Sequence, residues 1–421
     1  MTIVRLAWKS LLNRLGSVLL AMGCIALSVA LLVGVERTRE GAKASFGGTV
    51  SDVDLIVGAR TGNVQLMLYA VFRMGDAANN FTWQSYQQVD ALPQVEWTVP
   101  LSLGDSHRGF RVIGTTGAYF EHYRYRDGQS LRLAKGELFP DLFDVVLGAQ
   151  VAQRLGYDVG DSLVLAHGLG SIALAEHDDL PFRVSGILAP TGTPVDKALH
   201  VDLRAIEAIH VDWQSGGVPV GDRTPAERIR AMDLTPRSIT ATFVGLNSPI
   251  ATFTTQRSIN QFEEEALSAV IPGMALLELW SVVEVVETAL SIVTVFVVAT
   301  ALVGMMATLL AMLNDRRREM AILRSVGARP WHLVALLTIE AGTIGLGGAL
   351  AGVAIGYVGL ALAAPWIEGN YGLGIGLDLA QPGLFELGIV ALVTVSAVIF
   401  GLVPACSAYR RSIADGINVR N

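Results

Sequence analysis

Four long runs without a charged residue constrain the fold of this chain more than any other feature of its sequence. They are residues 15–35, 288–314, 341–367 and 387–409. A helix needs about 20 residues to cross the ~30 Å hydrocarbon layer of a bilayer, so each run is long enough to span it. The content of 52% hydrophobic residues is also above the average of soluble proteins. The sequence therefore predicts an integral membrane protein with four transmembrane α-helices.

The polar sequence falls mostly into one piece, between the first run and the second. In it, short β-branched stretches are separated by Gly, Pro and Asp, which is typical of strands, and residues 148–156 have a helical pattern. We therefore predict a large extracytoplasmic α+β domain between helices 1 and 2. In chain order the predicted segments are an amphipathic amino-terminal segment (1–14), the first span (15–35), the large domain (36–275), a stalk helix with the second span (276–314), a coupling helix or loop (315–332), the third span (333–364), a loop (365–386), the fourth span (387–409) and a tail (410–421).

Lys and Arg are concentrated in some of the short flanks of the spans. The amino-terminal flank contains Arg5, Lys9 and Arg14 and no acid, and residues 315–332 contain five arginines, whereas the loop at 368–386 has three acids and neither Lys nor Arg. Positively charged flanks stay on the cytoplasmic side of a membrane. We therefore expect both termini and residues 315–332 in the cytoplasm, and the large domain and the loop in the periplasm. This predicts a multi-pass protein of the bacterial inner membrane.

A helical pattern crosses the predicted boundary between the large domain and the second span. Apolar residues recur three and four positions apart from Leu276 to Leu290, as they do along one face of a helix. We expect a single helix to run from the large domain into the membrane and to link the two mechanically. An interfacial helix that only anchors the domain is the alternative.

The third span contains a stripe of small residues and an early acid. Gly348, Gly352 and Gly356 are spaced by four, and this spacing lets membrane helices approach closely. Glu340 lies near the predicted cytoplasmic end of the same span, and an acid there is costly unless it is paired or interfacial. We expect Glu340 to pair with an arginine of residues 316–329, with a role in an ion relay as the alternative.

The usual motifs of enzymes are missing from this sequence. There is no GxxxxGK[ST] phosphate loop, no HExxH pair and no GxSxG elbow. The sequence thus gives no local support for ATP binding by a phosphate loop, for a zinc peptidase or for a serine hydrolase, and we expect a non-catalytic protein that binds no cofactor of its own.

Histidines and acids cluster in one part of the large domain. Imidazole and carboxylate groups together suit zinc, although their spacing here matches no fixed ligand motif and acidic loops are common outside the membrane. The candidate metal ligands are His167, His177, Asp178, His200 and His210.

The basic stretch NDRRREMAILRSVGARPWH, residues 314–332, lies between the second and third spans. Glu319, Ile322 and Leu323 have the spacing of a short amphipathic helix, and Gly327 is the residue type that commonly ends one. The stretch therefore predicts a short cytoplasmic helix. A plain charged turn between two spans is the alternative.

RRREMAILRSVGARPWHLVALLTIEAGTIGLGGALAGVAIG, residues 316–356, resembles the carboxy-terminal membrane segment of MacB/FtsX-type (type VII) ABC transporter permeases. VVLGAQVAQRLGYDVGDSL, residues 145–163, is similar to a recurring element of the MacB-type periplasmic core domain. The order of one span, a large domain and three more spans is similar to the layout of this family over nearly the whole chain. Because no fused ATPase precedes the first span, the resemblance is to stand-alone permease subunits.

The resemblance implies a dimer of ABC ATPase subunits that bind ATP and Mg, with two permeases above it, either two copies of this chain or this chain with a sister permease. It implies mechanotransmission, in which ATP-driven motion passes through the spans to the periplasmic domain for export or release of a cargo. The implied ATPase-coupling residues are Arg316, Arg317, Arg318, Glu319, Ile322, Leu323, Arg324, Gly327 and Ala328.

Further expected partners are membrane lipid and a periplasmic adaptor, lipoprotein or substrate-binding protein, but not nucleic acid. Two other functions fit the same sequence. One is a component of a zinc-linked ABC system with periplasmic His/Asp loops. The other is a membrane-anchored periplasmic binding or scaffold protein without an ATPase.

Overall fold

The computed structural model describes residues 2–126, 128–167, 175–176, 179–213, 223–315, 327–371 and 383–417. Within them, four helices are long and apolar enough to cross a membrane, and a domain with a mixed β-sheet lies between the first and the second of these along the chain. The predicted fold class, four transmembrane helices with a large α+β domain, is confirmed.

The helices divide into long apolar ones and short ones of the sheet domain. The four long helices are α2 (Leu15–Gly47), α10 (Pro272–Asp315), α11 (Pro330–Tyr371) and α12 (Leu384–Ile417). The short helices are α1 (Thr2–Leu12), α3 (Asn63–Ala70), α4 (Trp83–Asp90), α5 (Gly117–His122), α6 (Ala149–Leu155), α7 (Leu203–Ile209), α8 (Ala226–Arg230) and α9 (Thr252–Asn260). Single 3₁₀ turns form at Pro194–Lys197, Val211–Trp213 and Pro249–Ala251.

The long helices extend beyond the uncharged runs of the sequence. Helix α2 continues to Gly47 although charged residues begin at Glu36, because these residues pair along the helix: Arg39 contacts Glu36 at 2.7 Å and Arg37 contacts Glu40 at 2.9 Å. Pairs three positions apart stabilise a helix in water. Helix α11 likewise runs to Tyr371, so the start of the predicted loop at 365–386 is helical.

A nine-strand path forms the main sheet, in the order β16-β1-β15-β3-β4-β13-β8-β12-β7, with β9, β10 and β11 attached beside it. The strands are β1 (Leu55–Ala59), β2 (Phe81–Thr82), β3 (Val95–His107), β4 (Phe110–Thr115), β5 (Arg124–Tyr125), β6 (Gln129–Ser130), β7 (Leu133–Gly136), β8 (Asp144–Leu147), β9 (Ser162–Leu163), β10 (Ala166–His167), β11 (Ala175–Glu176), β12 (Phe182–Leu188), β13 (Ala198–Asp202), β14 (Ser238–Ile239), β15 (Ala241–Leu246) and β16 (Leu267–Val270).

The long strand β3 joins two halves of this sheet. Its first half pairs antiparallel with β15, and its second half pairs antiparallel with β4, with a register shift between Leu103 and Ser106. Beyond β4 the sheet is mixed, since β13 runs parallel to β4 and β12 parallel to β8. The end of β3 also pairs with β10, where Asp105 lies opposite His167. This pairing brings distant polar residues together.

The chain separates into two compact units, which we call the membrane unit and the sheet domain. The sheet domain contains Ala42–Val283 and Ile367–Gly376, and the membrane unit contains Met1–Gly41, Glu284–Trp366 and Leu377–Asn421. In the membrane unit, buried apolar side chains from α1, α2, α10, α11 and α12 form one cluster. Most large apolar side chains outside that cluster are exposed on the helices, as expected of surfaces that face lipid.

Candidate functional site

Among the helices that cross the boundary between the membrane unit and the sheet domain, two lead the chain into and out of Ala42–Val283. They are α2, which ends at Gly47, and α10, which begins at Pro272. Proline is favoured at the first turn of a helix because its missing N–H is not needed there. Helix α10 is 44 residues long, about 66 Å at 1.5 Å per residue, roughly twice the hydrocarbon thickness. We call residues 36–47 of α2 and 272–287 of α10 the stalk.

Within the sheet domain, aromatic contacts join the two helices of the stalk. The rings of Phe46 and Trp280 meet edge to face with centroids 5.9 Å apart, and the ammonium of Lys43 lies 5.4 Å from the Trp280 ring. The rings of Phe46 and Phe72 are also in contact, with centroids 4.7 Å apart. Ala275, near the start of α10, is part of the core of the domain. The outer end of the stalk is therefore anchored in packed apolar structure.

Within the membrane unit, the same two helices are joined by charge. Arg39 of α2 donates to Glu287 of α10 at 3.2 Å while it also pairs with Glu36. The Arg39 guanidinium is therefore bonded to one carboxylate of each helix. Aromatic contacts and an ion pair thus connect α2 and α10 at successive levels of the stalk.

A second polar cluster ties three helices of the membrane unit together. Arg37 of α2 donates to Glu386 of α12 at 2.7 Å, and the Tyr357 hydroxyl of α11 donates to the same carboxylate at 3.0 Å. The backbone N–H of Gly383 donates to its second oxygen at 2.7 Å. The Glu386 side chain is 2% exposed. The buried carboxylate is stabilised because Arg37, Tyr357 and the Gly383 N–H all donate hydrogen bonds to it.

The glycine stripe of α11 faces α2. A Cβ at Gly352 would lie 2.6 Å from the Ala26 carbonyl oxygen and from Val29 Cβ, and one at Gly348 would lie 2.9 Å from Ile25 Cβ. A Cβ at Gly356 would lie 3.3 Å from the Ala30 carbonyl oxygen. Only glycine allows such an approach, in which the backbone of one helix contacts the side chains and carbonyls of the other.

The residues predicted to couple to an ATPase lie mostly outside the described residues. This holds for Arg316, Arg317, Arg318, Glu319, Ile322, Leu323 and Arg324. Gly327 is described, and its φ of +94° is a left-handed conformation that favours glycine. Ala328 follows it just before α11 begins. The coupling role of these residues stays a prediction.

Glu340 is buried in α11, with 1% of its surface exposed. Because most of the arginines between 316 and 329 lie outside the described residues, its predicted pairing with one of them also stays a prediction.

In the sheet domain, three residues from separate elements form a cluster that suits a metal ion. They are Asp105 from β3, His167 from β10 and His210 directly after α7, and each offers one ligand atom within 4.8 Å of the other two. Asp105 Oδ1 is 3.1 Å from His167 Nδ1 and 3.7 Å from His210 Nε2, and the two histidine nitrogens are 3.2 Å apart. We call these three residues the Asp–His–His cluster. The hydrogen bond to Asp105 raises the pKa of His167.

The candidate metal ligands of the sequence do not all meet in this cluster. His167 and His210 do, whereas His177 and Asp178 lie outside the described residues. His200 lies in β13 inside the core, between the rings of Tyr119 and Phe120. It is fully buried, and among the described residues neither ring nitrogen has a hydrogen-bond partner. Burial, aided by the positive charge of Arg73, lowers the pKa of His200 to about 3. His200 is a core residue and is not near the cluster.

Sequence reasoning missed Asp105, Arg37 and Glu386. Asp105 is 62 positions from His167 and joins it only through strand pairing, for which the local sequence has no signal. For Arg37 and Glu386 a signal existed, because opposite charges directly after the first apolar run and directly before the last one predict an ion pair at one side of the membrane.

Comparisons with known proteins give consistent matches. The model of the MacB-like periplasmic core domain matches residues 18–262, and that of the FtsX-like permease carboxy-terminal region matches residues 291–413. A lipoprotein-releasing system transmembrane protein, LolC, from Xylella fastidiosa (strain 9a5c), is 23% identical over 303 residues, which are 66% of this chain and 66%, just under two thirds, of that protein.

Two solved structures are also similar. The periplasmic region of MacB from Actinobacillus actinomycetemcomitans has a TM-score of 0.35 at 11% identity, covering 55% of this chain and 94% of that one. The extracellular domain of the noncanonic ABC-type transporter YknZ from Gram-positive bacteria has a TM-score of 0.30 at 12% identity, covering 52% of this chain and 98% of that one.

Proposed function

This chain belongs to the family of MacB/FtsX-type ABC transporter permeases, and we propose that it is a non-catalytic subunit that transmits ATP-driven motion to its sheet domain. Permeases of this family work with ABC ATPase partners. In our proposal a separate ATPase dimer binds the cytoplasmic residues 315–332, and the sheet domain moves in the periplasm to export or release a cargo. A second permease, identical or a sister, completes the complex.

The observation that carries this proposal is the continuity of α2 and α10. A helix that is hydrogen-bonded throughout transmits displacement along its axis, whereas a flexible linker would absorb it. The contacts of Trp280 with Phe46 and Lys43 in the sheet domain, and of Arg39 with Glu287 in the membrane unit, hold the two helices to each other. Displacement of one therefore carries the other.

The composition of the spans supports force transmission and argues against a substrate path through the bilayer. Among the described residues of the spans, the buried charged side chains are Glu340 and Glu386, and Glu386 is bound by Arg37 and Tyr357. Transporters that carry polar cargo through the membrane have polar groups or unwound helices at its centre. Here the helices pack through glycine and apolar side chains. We infer that the cargo is handled outside the bilayer.

A break in α10 tests the transmission step. Val285 is 72% exposed, so Val285→Ala removes no buried contact, whereas Val285→Pro removes a backbone hydrogen bond and costs about 3 kcal/mol or more of helix stability. Amide hydrogen exchange of the sheet domain is measured in the reconstituted complex with ADP and with an ATP analogue. We expect a nucleotide-dependent change in the wild type and in Val285→Ala that is lost in Val285→Pro, with ATPase binding and hydrolysis retained.

The ATPase partnership is tested separately. Glu319→Ala and Leu323→Ala should each reduce co-purification of the ATPase, while Val285→Ala should not. A wild-type chain that retains no ATPase, together with full function of both coupling variants, would support a scaffold protein without an ATPase instead. A nucleotide response that survives Val285→Pro would refute transmission through α10 but leave the ATPase partnership standing.

A further inference from the structure

We propose that Asp105, His167 and His210 form a zinc(II) site on the sheet domain. The site is independent of the proposed ATPase coupling, because it depends only on the fold of the sheet domain. Its three ligands come from β3, β10 and the end of α7, so an ion bound there would join three elements that otherwise meet through hydrogen bonds. His167 and His210 carry over from the sequence prediction, and Asp105 is new.

The donor atoms have the separations that a tetrahedral zinc ion requires. Zinc binds imidazole nitrogen and carboxylate oxygen at about 2.0–2.1 Å, so two ligands of a tetrahedral ion lie about 3.3 Å apart. The three separations observed here are 3.1, 3.2 and 3.7 Å. The point equidistant from the three atoms lies about 1.9 Å from each, so an ion at zinc distances fits about 0.6 Å above their plane with little movement of the ligands.

The hydrogen bond of His210 to the backbone favours the tautomer that a metal ligand needs. Its Nδ1 lies 2.7 Å from the Ile206 carbonyl oxygen, which can only accept, so Nδ1 carries the proton. In the neutral ring Nε2 therefore presents its lone pair to the cluster. A backbone carbonyl that fixes the tautomer and orientation of a histidine in this way is the usual outer partner of a metal-bound imidazole.

The carboxylate of the cluster is buried, whereas its two histidines are partly exposed. Asp105 is only 3% exposed, and a carboxylate so far from water needs a positive partner nearby. The side chain of His167 is 50% exposed and that of His210 is 27% exposed, so an ion can enter from solvent. The ring of Trp213 stacks against His167 with centroids 6.4 Å apart and limits its movement.

The ligand types select the class of ion. Two nitrogens and one oxygen suit zinc and other divalent ions of its row, whereas magnesium and calcium prefer oxygen ligands alone. Three ligands meet here among the residues that the structure describes, and a fourth position of a tetrahedral ion could be taken by water or by another donor. Zinc sites that bind or transfer a ligand have this open position, and closed structural sites have four protein ligands.

The test uses the full-length chain in detergent, stripped of metal with EDTA and titrated with zinc chloride by isothermal calorimetry. We expect one zinc ion per chain for the wild type. His167→Gln, at a half-exposed position, and Asp105→Asn, which keeps the size of the side chain, should each weaken zinc binding at least tenfold. The control is His122→Gln, because His122 stacks on Trp97 away from the cluster, and zinc binding should be unchanged in it.

Two further measurements identify the zinc ligands and separate loss of zinc binding from loss of folding. X-ray absorption of the zinc-loaded chain should give a first shell of nitrogen and oxygen at about 2.0–2.1 Å that contains two imidazoles. Amide exchange of the variants without zinc should match the wild type, which shows that lost binding is not lost folding. Absence of zinc binding by the wild type, or equal binding by His167→Gln and His122→Gln, would overturn the proposal.

Discussion

The fully buried histidine of the sheet domain makes this protein sensitive to mild acid. Burial lowers the pKa of His200 from its ordinary value of 6.5 to about 3 in the fold. Between these two values the unfolded chain binds a proton at this position and the folded chain does not. Stability must therefore fall as the pH is lowered through 6.5, and it continues to fall until about pH 3.

The magnitude follows from the two pKa values. Lowering the pH from about 7.5 to about 5 lets the unfolded chain gain roughly 2 kcal/mol from protonation of His200, which the folded chain does not gain. This corresponds to a roughly thirtyfold larger equilibrium constant for opening of the core. The whole value applies because the side chain is fully buried and solvent does not screen it.

Hydrogen exchange of the full-length chain in nanodiscs measures this effect. The amides of β13, which holds His200, and of its antiparallel partner β8 report opening of the core after correction for the intrinsic rates. The comparison variant is His200→Phe, which should pack between Tyr119 and Phe120 and cannot titrate. We expect the pH-dependent loss in the wild type to exceed that in His200→Phe by about 2 kcal/mol. Equal losses in both proteins would refute the reasoning.

Two further predictions concern the membrane unit. Gly352→Leu should destabilise the detergent-solubilised chain by about 1–3 kcal/mol, because its Cβ would lie 2.6 Å from the Ala26 carbonyl oxygen. The control Gly359→Leu should not, since a Cβ at Gly359 has no atom within 4 Å. Similar melting temperatures for the two variants would contradict the packing of α2 on α11. Glu386→Gln should lower the free energy of unfolding by about 3 kcal/mol, because it leaves Arg37 without its buried partner. Glu40→Gln, at a half-exposed carboxylate, should lower it by less than about 1 kcal/mol. Thermal unfolding measures both.

The sequence was sufficient for the membrane helices because the bilayer imposes a length and an apolar composition that are local properties. The ends of these helices were harder to place. The uncharged runs stop at the first charge, but Glu36, Arg37, Arg39 and Glu40 pair within α2 and continue it. The family resemblance, by contrast, rested on short motifs and is confirmed by matches to residues 18–262 and 291–413.

The metal ligands show why a cluster of histidines in sequence is a poor guide to a site. His200 lies ten positions before His210, yet β13 directs it into the core, where it contacts the rings of Tyr119 and Phe120. Asp105 is far away in sequence and joins His167 because the end of β3 pairs with β10. Strand register, which depends on long-range packing, decides which polar residues meet, and no local pattern encodes it.

The glycine stripe implies unequal mobility among the four membrane helices. Helix α2 is clamped against α11 by backbone contacts and has 44% of its span buried, whereas α10 has 22%. A helix with few packed neighbours loses the least contact when it shifts, so in the proposed transmission we expect α10 to shift more readily within the membrane than α2, and the contacts of the stalk to pass its displacement on to α2. In that proposal the Arg39–Glu287 ion pair, which joins α10 to α2, is the contact that a shift of α10 would load first.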